Sequence, residues 1–190
     1  TAKSKKKFEL LVQVITRYHV RNVTLGNAEP KDMEMQMKKV MNNINKDKTV
    51  NEIIDDLVND KEIHFPNSTI SDKIDEHDWT SSVKALIYVL EELEGQTGKN
   101  SGVDITHEHI MPKTANPSTT GGKRWIDYIK QTQSCKDEEA IAFHKEWRNK
   151  LGNLTLLSKK PNTEAQQKLI VDKIPLYNKD VFDITKEIDS

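Results

Sequence analysis

Three stretches of this chain carry side chains that could perform acid–base or metal chemistry together. The first is His107-Glu108-His109-Ile110-Met111-Pro112, where two imidazoles flank a carboxylate just ahead of a proline. An imidazole with a pKa near ~6.5 can take a proton from water at neutral pH, and the carboxylate beside it offers oxygen to a cation. The second is Gly152-Asn153, which enters the run Leu154-Thr155-Leu156-Leu157; the third is Asn162, directly after Pro161. Taken singly, each has a plain structural account. Polar residues on an edge strand face water, Gly-Asn suits a left-handed turn, and Asn162 suits a helix N-cap. Order and spacing taken together shift the weight away from these separate accounts.

The elements that must hold these residues are visible as patterns. Residues 103 to 110 alternate apolar and polar types with β-branched Val103, Ile105 and Ile110, which predicts a strand stopping at Pro112. On that strand His107 and His109 share a face and Glu108 takes the other. Glu108 and His109 reach one site only if the strand ends or twists at Ile110-Met111-Pro112. Residues 154 to 157 predict a second strand. Helical spacing predicts helices over 8–21 (Phe8, Leu11, Val12, Ile15 and Tyr18), 31–45, 50–59 and 79–94, the last with Asp78 as N-cap. Further helices are expected over 123–132, 137–147 and 163–171, the last entered through a turn at 159–162. Trp125 and Trp147 are expected in the core. The expected class is α+β and mainly helical: a helical subdomain over 1–100, a break near 95–102 marked by Gly95 and Gly98, and a strand, insertion, strand, helix unit over 101–190.

Composition narrows the partners. Charged residues make up 31% and hydrophobic residues 35%, with a mean hydropathy of -0.74. No run approaches the ~20 apolar residues of a membrane span, and no charged-then-apolar leader opens the chain. The start at Thr1 rather than Met suggests a fragment. Cys135 is the only cysteine, so an internal disulfide and a multi-thiolate metal centre are both excluded. A reducing, cytoplasmic compartment is the default expectation. Net charge is -1, but residues 47 to 95 hold 13 acidic against 4 basic side chains, whereas 101 to 170 hold 8 against 11. A polyanion would be attracted by the second region and repelled by the first.

Glu108-His109-Ile110-Met111-Pro112, then Gly152-Asn153-Leu154-Thr155-Leu156-Leu157, then Asn162 resembles the HNH (His-Me finger, ββα-metal) nucleases. The resemblance is closest to the C-terminal nuclease domain of GmrSD-type, modification-dependent restriction enzymes. It covers about residues 100 to 175, with weaker likeness in the helices before them. It implies a ββα-metal core and an endonuclease that hydrolyses DNA phosphodiesters in phage defence. By position it implies that His109 is the general base, that Asn153 orients its ring, and that Glu108 and Asn162 are metal ligands. Glu stands where Asp is common, and Asn where His is common. Two oxygen ligands favour Mg²⁺ or Mn²⁺ over zinc. Asp104 and His107 are lesser candidates for the same site. Lys113, Lys159 and Lys160 are expected to contact the DNA backbone. Full-length relatives carry an N-terminal ParB-like nucleotide-binding and sensing domain, absent from these 190 residues. A homodimer is among the arrangements compatible with cutting both strands. Two other readings compete. One is a DNA-binding or protein-interaction module on a degenerate HNH fold. The other is a zinc hydrolase built on His107 and His109, which lacks the helical His-Glu-Xaa-Xaa-His arrangement.

Overall fold

A computed structural model describes residues 2–60, 65–95 and 104–188. The chain divides into two compact units, Thr1–His77 and Asp78–Ser190. Most of the break expected near 95–102, with Gly98 and the first residue of the expected strand, Val103, lies outside the described residues.

The first unit is helical: α1 (Ala2–His19) running into a π-helical turn (Val20–Leu25), α2 (Pro30–Asn45), α3 (Val50–Val58) and α4 (Asn67–Glu76). Its core gathers Leu11, Tyr18, Val40, Val50, Ile53 and Leu57. A capping box starts α3: Thr49 Oγ1 accepts from Glu52 N, and Glu52 Oε2 accepts from Thr49 N. The stripe expected on α1 is buried only in part. Leu11 and Tyr18 are inside, but Phe8 is 67% and Val12 45% exposed. Helix α4 was not expected, because Ile70 is its sole buried side chain and its apolar stripe is correspondingly thin.

The second unit opens with a 3₁₀ turn (Trp79–Ser82), capped by Asp78, whose Oδ1 accepts from Thr80 N at 3.0 Å. There follow α5 (Val83–Leu93), β1 (Ile105–His109), α6 (Thr120–Gln133), α7 (Asp137–Trp147), β2 (Leu154–Ser158), α8 (Lys159–Ala165), α9 (Ile170–Tyr177) and α10 (Asp183–Lys186). Strands β1 and β2 pair antiparallel from Ile105↔Ser158 to His109↔Leu154. Helix α8 leaves β2 without a loop and packs on both strands. The core gathers Met111, Trp125, Ile126, Ile129, Ala140, Leu157, Ala165, Ile170 and Tyr177. The mainly helical α+β class holds, with one two-stranded sheet among the described residues.

Two local expectations need correction. Trp147 is 45% exposed and stacks on Phe143 with ring centroids 6.0 Å apart. It ends α7, whose buried positions are Ala140 and His144. The helix expected over 163–171 is two helices. Pro161 sits in the first turn of α8, where its missing N–H costs no intrahelical bond, so the helix begins at Lys159. Gln166, at φ 37°, then ends it. Among the described residues no helix is long and apolar enough to cross a membrane.

Candidate active site

The chain leaves β1 through Ile110-Met111-Pro112, and side chains from distant segments satisfy the backbone of that exit. Ile110 N donates to Asn153 O at 2.9 Å. The Asn153 amide then acts as one further rung of the ladder: its Oδ1 accepts from Met111 N at 2.7 Å, and its Nδ2 donates to Met111 O and Arg148 O, both at 2.8 Å. Lys173 Nζ donates to His109 O at 2.7 Å and Ile110 O at 3.0 Å. Pro112 O pairs with His144 Nε2 at 2.7 Å. A buried backbone group without a partner is costly, so these side chains set the path of the segment that ends in His109. Asn153 therefore positions the strand exit and does not touch the His109 ring, as the sequence reading expected it to. Replacing Asn153 by alanine strands two Met111 groups and the Arg148 carbonyl, and should lower unfolding stability by about 1–3 kcal/mol. Urea denaturation measures this, and an unchanged midpoint would contradict it.

Strand β1 stays regular through His109, so Glu108 points inward. The residue is 4% exposed; Lys173 Nζ donates to Oε1 at 2.6 Å and Tyr177 Oη donates to the same oxygen at 3.1 Å. Lys173 itself is fully buried. Burial pushes the Glu108 carboxyl up and the Lys173 ammonium down, and each charge partly offsets the other's shift. The strand does end at Ile110-Met111-Pro112, but Glu108 and His109 still take opposite faces and do not reach one site. A carboxylate already neutralised by an ammonium does not fit the role of cation ligand. Asn162, the other expected ligand, donates through Nδ2 to Thr106 Oγ1 at 2.7 Å and to His107 O at 2.9 Å, strapping α8 to β1. It lies inside α8 rather than at its N-cap, which is Ser158. Among the described residues no group of three or more His, Cys, Asp and Glu side chains is placed to hold a metal ion.

On the other face of β1, His107 and His109 stand edge to face with ring centroids 5.5 Å apart. His109 Nε2 lies 3.4 Å from Asn149 Oδ1. Burial is the main reason its imidazole is held down at about 4; the charges of His107, Lys113 and Lys173 act in the same direction, and Asn149 opposes them. His107 is lowered too, by burial and then by Lys113. Both rings are thus neutral at pH 7, which is the state a proton acceptor needs. Lys113 is exposed with its charge felt by both rings. Lys159 and Lys160 are exposed at the start of α8. Asp104 is 3.7 Å from Lys159 in a solvent-facing pair, worth little energetically.

Five residues of this site were missed in the sequence: Lys173, Tyr177, His144, Asn149, and Asp78, whose Oδ2 accepts from Asn149 Nδ2 at 3.0 Å. Lys173 left a signal. Ile170, Lys173, Ile174 and Tyr177 repeat at helical spacing, so a lysine occupies an apolar stripe and needs a buried counter-charge. Asp78 was read only as a cap, and nothing local marks Asn149.

A family model described as GmrSD restriction endonucleases, C-terminal domain, matches residues 66–190. No curated protein matches the chain, and no solved structure does.

Proposed function

The chain belongs to the family of C-terminal domains of GmrSD restriction endonucleases, and from that premise we propose that it is a DNA endonuclease with His109 as general base. The observation that carries the reading is a half-buried, neutral imidazole at the end of a strand whose exit is pinned by Asn153, Lys173 and His144. Hydrolysis of a phosphodiester needs a water to lose a proton as it attacks phosphorus. His109 accepts that proton, and its fixed backbone limits the geometries the ring can adopt. The order β1, β2, α8, with α8 packed on both strands, supports reading the core as the ββα unit of the HNH class.

Mg²⁺ or Mn²⁺ remains the proposed cofactor, on the strength of the resemblance. Glu108, one of its two expected ligands, is paired in the interior with Lys173 and does not fit that role, so no step runs through the ion. The exposed cations Lys113, Lys159 and Lys160 are proposed to meet the DNA backbone. Each alanine substitution that removes a phosphate contact should reduce the slope of log binding constant against log salt by about one unit. Filter binding across a salt series reads this, and three unchanged slopes would remove the lysines from the interface.

The deciding experiment incubates supercoiled plasmid with the protein and Mg²⁺ or Mn²⁺. Relaxed or linear product is expected, and its absence at every metal concentration would overturn the nuclease reading. The buried Glu108–Lys173 pair favours one second reading, a DNA-binding or protein-interaction module on an HNH-like fold. Such a module retards DNA in a gel and leaves it intact.

A further inference from the structure

A line of three polar side chains runs from the candidate base away from the strand pair. His109 Nε2 lies 3.4 Å from Asn149 Oδ1, and Asn149 Nδ2 donates to Asp78 Oδ2 at 3.0 Å. The other Asp78 oxygen, Oδ1, accepts from Thr80 N at 3.0 Å and from Thr80 Oγ1 at 2.7 Å. The Thr80 hydroxyl, Asn149 and the backbone amides of Thr80 and Ser81 hold the Asp78 carboxyl below the usual carboxylate range against the effect of burial. Trp79, fully buried, anchors the turn, and its backbone N donates to Asn149 O at 3.2 Å. Two segments 71 residues apart are thereby tied together by side chain and backbone.

The chemistry of each group dictates the direction of the line. An ionised carboxylate only accepts, so Asn149 must turn its NH₂ towards Asp78. Its carbonyl oxygen then faces His109, and an amide oxygen also only accepts. The ring nitrogen opposite must carry hydrogen. A neutral imidazole has one N–H, so the lone pair lies on the other nitrogen.

We propose that Asp78 and Asn149 are positioning residues that fix His109 as the Nε2–H tautomer, leaving Nδ1 as the atom that accepts the proton from water. This rests on His109 being the base. It adds two residues, one outside the strand–strand–helix unit, and names the reacting atom.

Long-range ¹H–¹⁵N NMR of the ¹⁵N-labelled chain at neutral pH reads the tautomer directly. The wild type should show His109 with hydrogen on Nε2. Asn149→Ala should give a mixture of both tautomers, and Asp78→Asn, which frees the Asn149 amide to turn either way, an intermediate mixture. The Trp79–Asn149 backbone bond survives both changes. In plasmid cleavage, Asn149→Ala should lower kcat roughly 10–100-fold with KM unchanged. A wild-type ring with hydrogen on Nδ1, or an Asn149→Ala ring and kcat like wild type, would overturn the assignment. The NMR result does not depend on cleavage. An Nε2–H ring in a protein that never cuts DNA upholds the positioning pair and removes the nuclease reading, whereas cutting by an Nδ1–H ring does the reverse.

Discussion

Replacing His109 by alanine should reduce plasmid cleavage by about 10²–10⁴-fold, the usual contribution of a positioned general base. The fold should survive, because the contacts that hold this part of the strand use the His109 carbonyl and not its ring. Lys173 Nζ bonds His109 O, and Ile110 N bonds Asn153 O, whichever side chain stands at 109. An unchanged circular dichroism spectrum beside lost cutting is the expected pair of results; undiminished cutting by the folded variant would remove the base assignment. The pH dependence follows from burial of the ring. A histidine held at about 4 in the folded state is neutral above that pH, so its proton-accepting form persists well below the ordinary ~6.5. The sign for stability is the opposite of a salt-bridged histidine. As pH falls from ~6.5 towards about 4, the unfolded chain takes up a proton that the folded ring does not, and the folded state loses stability across that window.

Lys173→Ala should be the most destabilising single change at the site. It leaves the Glu108 carboxylate buried without its counter-charge and removes the donor to His109 O and Ile110 O. Breaking a buried ion pair from one side costs about 3–5 kcal/mol. In a unit of this size that corresponds to a fall in Tm of roughly 10 °C or more. Thermal unfolding checks it, and a Tm within a degree or two of wild type would show that the pair is not the anchor described. Removing both charges with Glu108→Leu and Lys173→Met should recover only part of the loss, because the two carbonyls and the Tyr177 hydroxyl still lack their partner. Glu108→Gln separates the two roles this residue could have. As one half of a buried pair its loss lowers Tm; as a cation ligand it would lower cleavage and metal affinity with Tm unchanged.

Much of the site was readable before any tertiary contact was known. The alternation that led into His107-Glu108-His109 marked β1, the apolar run after Gly152-Asn153 marked β2, and the two histidines were correctly set on one face. These are local properties, since strand alternation is fixed by the pleat and needs no partner to be recognised. The order of the three motifs identified the family as well. What local patterns could not supply was the direction in which polar groups find each other.

Chain order and residue type alone determined the strand pair, the family and the residue proposed as base. The tertiary structure decided that Glu108 is an interior ion-pair partner, that Asn153 holds the strand exit, and that Asn149 meets the His109 ring. Each of these depends on segments far apart in the chain: Lys173 and Glu108 are 65 residues apart, Asn149 and His109 are 40 apart. A carboxylate or an amide carries no mark in the sequence of which partner will satisfy it. Burial removes water as the alternative partner, and the groups that packing then brings within ~3 Å become its hydrogen-bonding environment.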